Sequence, residues 1–395
     1  MADKIRQPRF WILSILVFFN SIFAFSEDYE RIDLQSKSIP SELRTIDQIT
    51  NHLTKNSLTK KEKVRAIYIW ISYNIKYDLE LLKSVGSTTD KTPENLISDV
   101  LEKRKGVCAH YAHLFHAMCM SSGIKSYFVS GYTRDEDGKI ANVSHAWNAV
   151  FIDDKFYQID ATWAAGYFQD NKYVHQFRDL YFLIKPSEFI KTHIPFDPIW
   201  QFLENPLSSK DIQLANWTKL KSKGNYNYVD SIGVSENLPN IEKYIRIRNR
   251  IVKSGITNDL IQEQVSYFQT LIANEKYNNS VDKLNDAVNR YNKSVENYNR
   301  YVVNKNTQLK NGASLSELSY TLLTDAKKDL EQAEQIRSMI NFDDKLLNNK
   351  VSKLQQSISE LTANINNEDK FMKNYRKKPK PFNVFSFLKS LFQKE

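Results

Sequence analysis

The sequence predicts an α+β fold followed by long antiparallel helices, and three observations carry that prediction. Helix-patterned segments between residues 59 and 121 precede three strand-patterned ones, "KSYFVSGYTR", "SHAWNAVFI" and "KFYQIDATW". Helices grouped before antiparallel strands make an α+β arrangement. From residue 277 onward, apolar residues recur every three or four positions instead of alternating. The chain has 395 residues, of which 41% are hydrophobic and 12% aromatic, enough to bury a sizeable core.

Taken in order, the chain begins with Lys4, Arg6 and Arg9, then "FWILSILVFFNSIFAF", then the small residues Ala24 and Ser26. That pattern predicts a signal peptide over 1–26 and a secreted or periplasmic mature chain, because a membrane span needs about 20 apolar residues. An uncleaved N-terminal anchor is the alternative. "SLTKKEKVRAIYIWISYNIKYD" reads as an amphipathic helix with Val64, Ile67, Ile71 and Ile75 at helical spacing. A short helix, "NLISDVLEKRK", follows a polar stretch. Gly106 marks a turn, and 107–121 is helical up to the stop "SSG". The second and third strands join at Asp153-Asp154, and 173–200 reads as irregular closing structure. The α+β domain therefore covers 45–205, with a linker over 206–240.

Over 241–370 the pattern predicts an antiparallel coiled-coil hairpin. Tyr277, Val281, Leu284, Val288, Tyr291, Val295, Tyr298 and Val302 form one seam. "NGAS" at 311–314 interrupts it. Leu318, Leu322, Leu330 and Ile336 then lead into a second seam of Leu347, Val351, Leu354, Ile358, Leu361 and Ile365. Such a coil suits a protein partner or self-association. The tail, 371–395, is basic and then aromatic, with Phe385, Leu388 and Phe392 suited to contact with a membrane surface or to folding back. The net charge of +9 is spread over 55 basic and 46 acidic residues. With no nucleic-acid motif present, it reads as a solvated surface, and no nucleic-acid partner is expected.

The chemistry centres on "GVCAHYAHLFHAMC". Two cysteines in an exported chain suggest a disulfide. On one helix, however, Cys108 and Cys119 would have Cα atoms about 16 Å apart, against roughly 4.4–6.8 Å for a bridge. Cys119, among Ala117, Met118 and Met120, reads as a small buried hydrophobe. Cys108 falls in the first turn of the helix, where unpaired N–H groups and the dipole favour a thiolate. A nucleophile needs a base and an orienting carboxylate. His145 lies on the second strand and Asp160 on the third. With the turn at Asp153-Asp154, facing residues sum to 307, so Asp160 faces Trp147 and shares a side of the hairpin with His145, one diagonal step away. A one-residue slip would separate them.

These blocks, with "AIYIWISYNIKYD" upstream and "YFLIKPSEFIKTHIPFDPIW" downstream, resemble the transglutaminase-like superfamily, and within it the branch of cytokinesis and kyphoscoliosis peptidase-type proteins and secreted bacterial relatives. The resemblance spans 55–205 and leaves out the C-terminal helices. It implies a papain-like core and a triad of Cys108 as nucleophile, His145 as base and Asp160 as orienter. The implied activity is that of a cysteine peptidase or transglutaminase-type acyltransferase acting on a protein or peptide amide. The alternative is a noncatalytic scaffold or envelope adaptor working through its coiled coil. Ala109 follows the cysteine where animal transglutaminases carry Trp. The Cys108 N–H and a side chain from the 66–78 helix are two candidates for the oxyanion donor, and the sequence does not assign it. No calcium-loop spacing is present. His110, His113 and His116 fan around one helix without a carboxylate or thiol partner, so neither a metal nor a cofactor is expected. Tyr111, Trp147 and Trp163 read as wall or core residues, Asn148 as core support, and nothing local gives His193 a role.

Overall fold

Thr59 starts the helix on which the core is built. Its hydroxyl accepts the Glu62 N–H, and Glu62 reaches back to the Thr59 N–H. This capping box ties down two otherwise unpaired donors. The computed structural model describes residues 29–84, 92–135, 137–169, 172–341 and 344–377. The expected signal segment 1–26 and the tail beyond residue 377 lie outside the described residues. Among the described residues, no helix is long and apolar enough to cross a membrane. The described chain divides into two compact units, ending and beginning at Phe268 and Gln269.

In the first unit, helices α1 (Glu30–Ser36) and α2 (Ile46–Thr54) pack on α3 (Lys60–Asn74). The amphipathic pattern expected for α3 is corrected by the structure: every residue from Val64 to Ser72 is buried. The helix is wrapped on all sides by α1, α2, α6 (Cys108–Ser121) and α7 (Ala161–Ala165). Arg65 stands in this buried belt because Asp33 and Asp179 both pair with it, each at 2.6 Å. Strand β1 (Lys76–Tyr77) follows, then α4 (Leu79–Lys83), α5 (Pro93–Lys103) and β2 (Lys105–Gly106). Gly106, expected at a turn, lies in β2 and pairs in parallel with Tyr77.

The sheet is antiparallel, in the order β5-β4-β3-β8, from β3 (Lys125–Thr133), β4 (His145–Ile152), β5 (Lys155–Ile159) and β8 (His193–Pro195). The hairpin register is the expected one, with Ile152 opposite Lys155 and Asn148 opposite Ile159. Asp153 and Asp154 both take positive φ, as a two-residue turn of this hand requires. Strand β5 stops at Ile159, short of the expected "DATW", because Asp160 caps α7. Val150 and Ile152 point into the helical core. Trp147 and Ala149 point the other way, into a cluster with Val129, Phe156, Phe189 and Phe202. With both faces covered, β4 carries apolar residues without strict alternation.

Residues 173–200 are more ordered than expected. They hold β7 (Lys172–Val174), which pairs with β6 (Tyr167–Gln169), then α8 (Pro186–Phe189), β8 and a 3-10 turn. The linker expected over 206–240 is also corrected. It forms α9 (Ser209–Gln213), a 3-10 turn and α10 (Tyr228–Glu236), and buries Leu207, Ile212 and Ile232. Helix α11 (Asn240–Ser254) and the start of α12 (Asp259–Lys310) complete that packing through Ile251, Ile261 and Val265.

The second unit contains α12 from Gln269 onward, α13 (Glu317–Ser338) and α14 (Lys345–Lys377). The chain reverses after Lys310, at the expected break. Ser294 of α12 donates to the Ala326 carbonyl of α13 at 2.7 Å, and Tyr301 donates to Glu368 of α14 at 2.8 Å. The return arm is thus two helices instead of one, and three helices share one apolar seam. Leu284, Leu322, Leu330, Leu354, Ile358, Leu361 and Ile365 are buried in it, while Tyr277 and Leu318 are exposed.

Candidate active site

Backbone geometry sets Cys108 at the first position of α6. The N-cap residue Val107 donates its backbone N–H to His110 Nδ1 at 3.3 Å. His110 must therefore fold back over Gly106, where a Cβ would stand 2.6 Å from the His110 Cβ. A glycine is the residue that permits this approach. Cys108 is half-buried and Cys119, later on the same helix, is fully buried; both thiols are free. Burial pushes the Cys119 thiol far up.

His145 opens β4, opposite Gly131 of β3. Its Nε2 lies 2.7 Å from Asp160 Oδ2. Asp160 is entirely buried and caps α7, its Oδ1 accepting the Thr162 and Trp163 N–H groups at 2.8 and 3.1 Å. A second imidazole completes the set: His193 Nε2 lies 3.0 Å from the same Oδ2. An ionised carboxylate only accepts, so both rings present Nε2–H to it. The His193 Nδ1 then accepts the Thr192 hydroxyl at 2.9 Å. On His145, Nδ1 is the nitrogen not engaged by Asp160, and the Cys108 side chain near the ring favours its protonated form.

Burial alone would lower the His145 imidazole. The Asp160 carboxylate and then Cys108 outweigh it and raise it to about 10. Burial would likewise raise the Asp160 carboxyl, but the two histidines hold it far below the usual carboxylate range. His193, with no unshared anion of its own, is lowered by burial. Tyr77 of β1 stands beside the thiol; burial first, then the charge of Cys108, push its phenol up. Tyr77 falls in the 66–78 segment named above as a source of an oxyanion donor, on a strand instead of a helix, since α3 ends at Asn74.

The structure thus brings Cys108, His145 and Asp160 together and adds His193. Strand β8 lies on the far side of β3, with His193 opposite Thr133 and Pro195 opposite Gly131. Thr133, Gly131, His145 and His193 share one face, and Gly131 leaves room there for the Trp147 ring and the backbone of β8. The one local signal was the short alternation "THIPF". Its proline suits an edge strand, but no local feature identifies its partner. His145, Asp160 and His193 also form the described cluster with ligand atoms close enough, within 4.8 Å, for a metal. Holding one would require both Nε2–H groups to leave Asp160. His113 stacks on Phe128 at 4.3 Å and is lowered by burial to about 4, as a packed histidine is. Asn148 donates to the Ala112 carbonyl at 2.9 Å, fastening β4 to α6. The Trp147 indole donates to Gln158 at 2.8 Å.

Comparison with known proteins gives a match between residues 47–161 and the transglutaminase-like superfamily. Human kyphoscoliosis peptidase is 29% identical over 194 residues, covering 47% of this chain and 28% of its own length. Cytokinesis protein 3 of Schizosaccharomyces pombe is 27% identical over 198 residues, covering 48% of this chain and 22% of its own length. The chain thus spans under a third of either relative. Among solved structures, a TGase crystal structure is 20% identical, covers 43% of this chain and 41% of that one, and has a TM-score of 0.25.

Proposed function

Through residues 47–161 the chain belongs to the transglutaminase-like superfamily, and on that premise we propose that it is a thiol-dependent acyl-transfer enzyme acting on peptide amides. The supporting observation is the 2.7 Å contact of His145 with a buried, ionised Asp160, beside a cysteine at a helix start. In this reading Cys108 Sγ adds to the amide carbonyl carbon. The C–N bond breaks as His145 Nδ1 gives its proton to the departing nitrogen, leaving a thioester. Water or a primary amine then attacks, its proton passes to His145 Nδ1, and the thiolate is released. Water makes the protein a peptidase; a lysine amine makes it a cross-linking enzyme. Asp160 keeps Nδ1 facing the sulfur. The basic and apolar N-terminal sequence supports export to the periplasm or exterior, and the helical unit supports a protein partner.

Alkylation of the full chain at pH 6, mapped by mass spectrometry, tests the reading. An ordinary thiol near pKa 8.5 is almost wholly protonated there. Cys108 is expected to label fast, and His145→Ala to slow it at least tenfold, while buried Cys119 serves as the internal control. Equally slow labelling of both cysteines would leave a scaffold role as the better reading.

A further inference from the structure

A cavity of about 350 Å³ opens against the His145 ring. That volume is at the lower end for ligand pockets and suits one or two side chains. Its walls are rings. Tyr77 meets Phe168 at 5.6 Å and Tyr173 at 5.5 Å, and Phe168 meets Tyr173 at 5.7 Å. Trp163 and Tyr181, also in the lining, meet edge to face at 5.4 Å. These mutual contacts fix the rings in place, so little ordering is needed when a ligand enters. Phe168, on the β6–β7 hairpin, is nonetheless 53% exposed, a large apolar ring that an apolar guest would cover.

The cavity wall holds one permanent cation, Arg178. Its guanidinium lies over the Tyr167 ring at 5.5 Å. The nearby carboxylates are committed elsewhere: Asp179 pairs with Arg65 at 2.6 Å, and Asp160 holds two histidines. Among the described residues, Arg178 has no ion-pair partner. A guanidinium fork at the edge of an apolar pocket binds a carboxylate by charge-assisted, often paired hydrogen bonds. It repels an incoming lysine or arginine.

We propose that this cavity recognises the acyl donor, and that it selects a peptide in which a large apolar side chain lies next to a carboxylate. The apolar group fills the ring-lined space and the carboxylate meets Arg178. The inference rests on the acyl-transfer reading in assigning the cavity to the donor. The binding it predicts is measured without turnover.

The test is calorimetric binding to the full chain carrying Cys108→Ala. The probes are N-acetyl-Phe-Glu-amide, its Gln, Lys and Ala-Glu counterparts, and N-acetyl-phenylalanine with its free carboxylate. The Phe-Glu peptide should bind about tenfold more tightly than Phe-Gln, the size of one charge-assisted contact. Phe-Lys and Ala-Glu should both be weaker. Arg178→Glu should reverse the order of the Glu and Lys peptides. A free acid binding better than Phe-Glu would assign the carboxylate to the peptide terminus. Equal affinity for the Glu and Gln peptides overturns the proposal without any protein variant. Binding in the expected order by a chain whose wild-type thiol proves inert would instead remove the acyl-transfer reading and leave the cavity's selectivity standing.

Discussion

Asp160 accepts four hydrogen bonds, two from backbone and two from imidazoles, which fills the capacity of a carboxylate. Its charge is therefore divided between two rings. Replacing His193 with Phe would return that share to His145. The His145 titration, followed by NMR, should then move above its present value of about 10. If the acyl-transfer reading holds, turnover should fall about tenfold as the imidazolium releases its proton less readily. His193→Gln, which still presents an N–H, should restore both; a purely structural role for His193 would leave the titration unmoved. The Phe variant should also lose about 1–3 kcal/mol of stability for the unpaired carboxylate lone pair. The nearness of His145 to Asp160 was legible in the sequence because a two-residue turn and a period of two fix which side chains share a face, and the place of Cys108 at a helix start was legible from the glycine and the helical pattern that follows it. His193 was not. Its partner strand lies some 60 residues earlier, and no local rule selects a pairing over that separation.

Among the strands, close packing at Gly131 leaves no room for a side chain. Gly131 lies between His145 and Pro195 on one face of the sheet, and a Cβ there would stand 2.5 Å from the Trp147 ring. Gly131→Ala should destabilise the protein by about 1–3 kcal/mol, the range for overpacking a well-filled core, read as a lower urea midpoint. Because Trp147 is itself within 6.0 Å of His145 by ring centroid, the same change should slow Cys108 alkylation. Of the elements, the β4–β5 hairpin and the Cys108 helix could be read from pattern. The β6–β7 hairpin and β8 are three residues each, too short for a period to register. Helix α3 misled in another way: its apolar stripe was visible, but only packing from four sides shows that Tyr68 and Trp70 are buried as well.

At the scale of the whole molecule, the charges at the site set how the first unit responds to pH. Folded, His145 keeps a proton up to about 10; unfolded, it releases it near 6.5. Its contribution to stability is therefore complete below about 6.5 and is lost as pH rises through 10. Asp160, held low, acts in the opposite sense: its contribution is present above about 4 and disappears as pH falls. Thermal melts from pH 5 to 10 should show the first transition declining on the alkaline side, and Asp160→Asn should flatten that decline. The division into units was only partly legible. Residues 206–240 have the polar composition of a linker, yet a few apolar residues, Leu207, Ile212 and Ile232, suffice to fold them onto the first unit. The reversal near residue 311 was readable, whereas the further break that makes three helices out of two seams was not.

The helix that carries both sulfurs also determines how the protein meets an oxidant. Cys108 and Cys119 are the only cysteines in the chain, and a rigid helix keeps them too far apart to join. A sulfenic acid formed on Cys108 has no resolving thiol within the molecule and must be captured by a small thiol or another protein, or oxidise further to the irreversible sulfinic state. Recovery from peroxide therefore depends on the reductants of the compartment in which the protein resides.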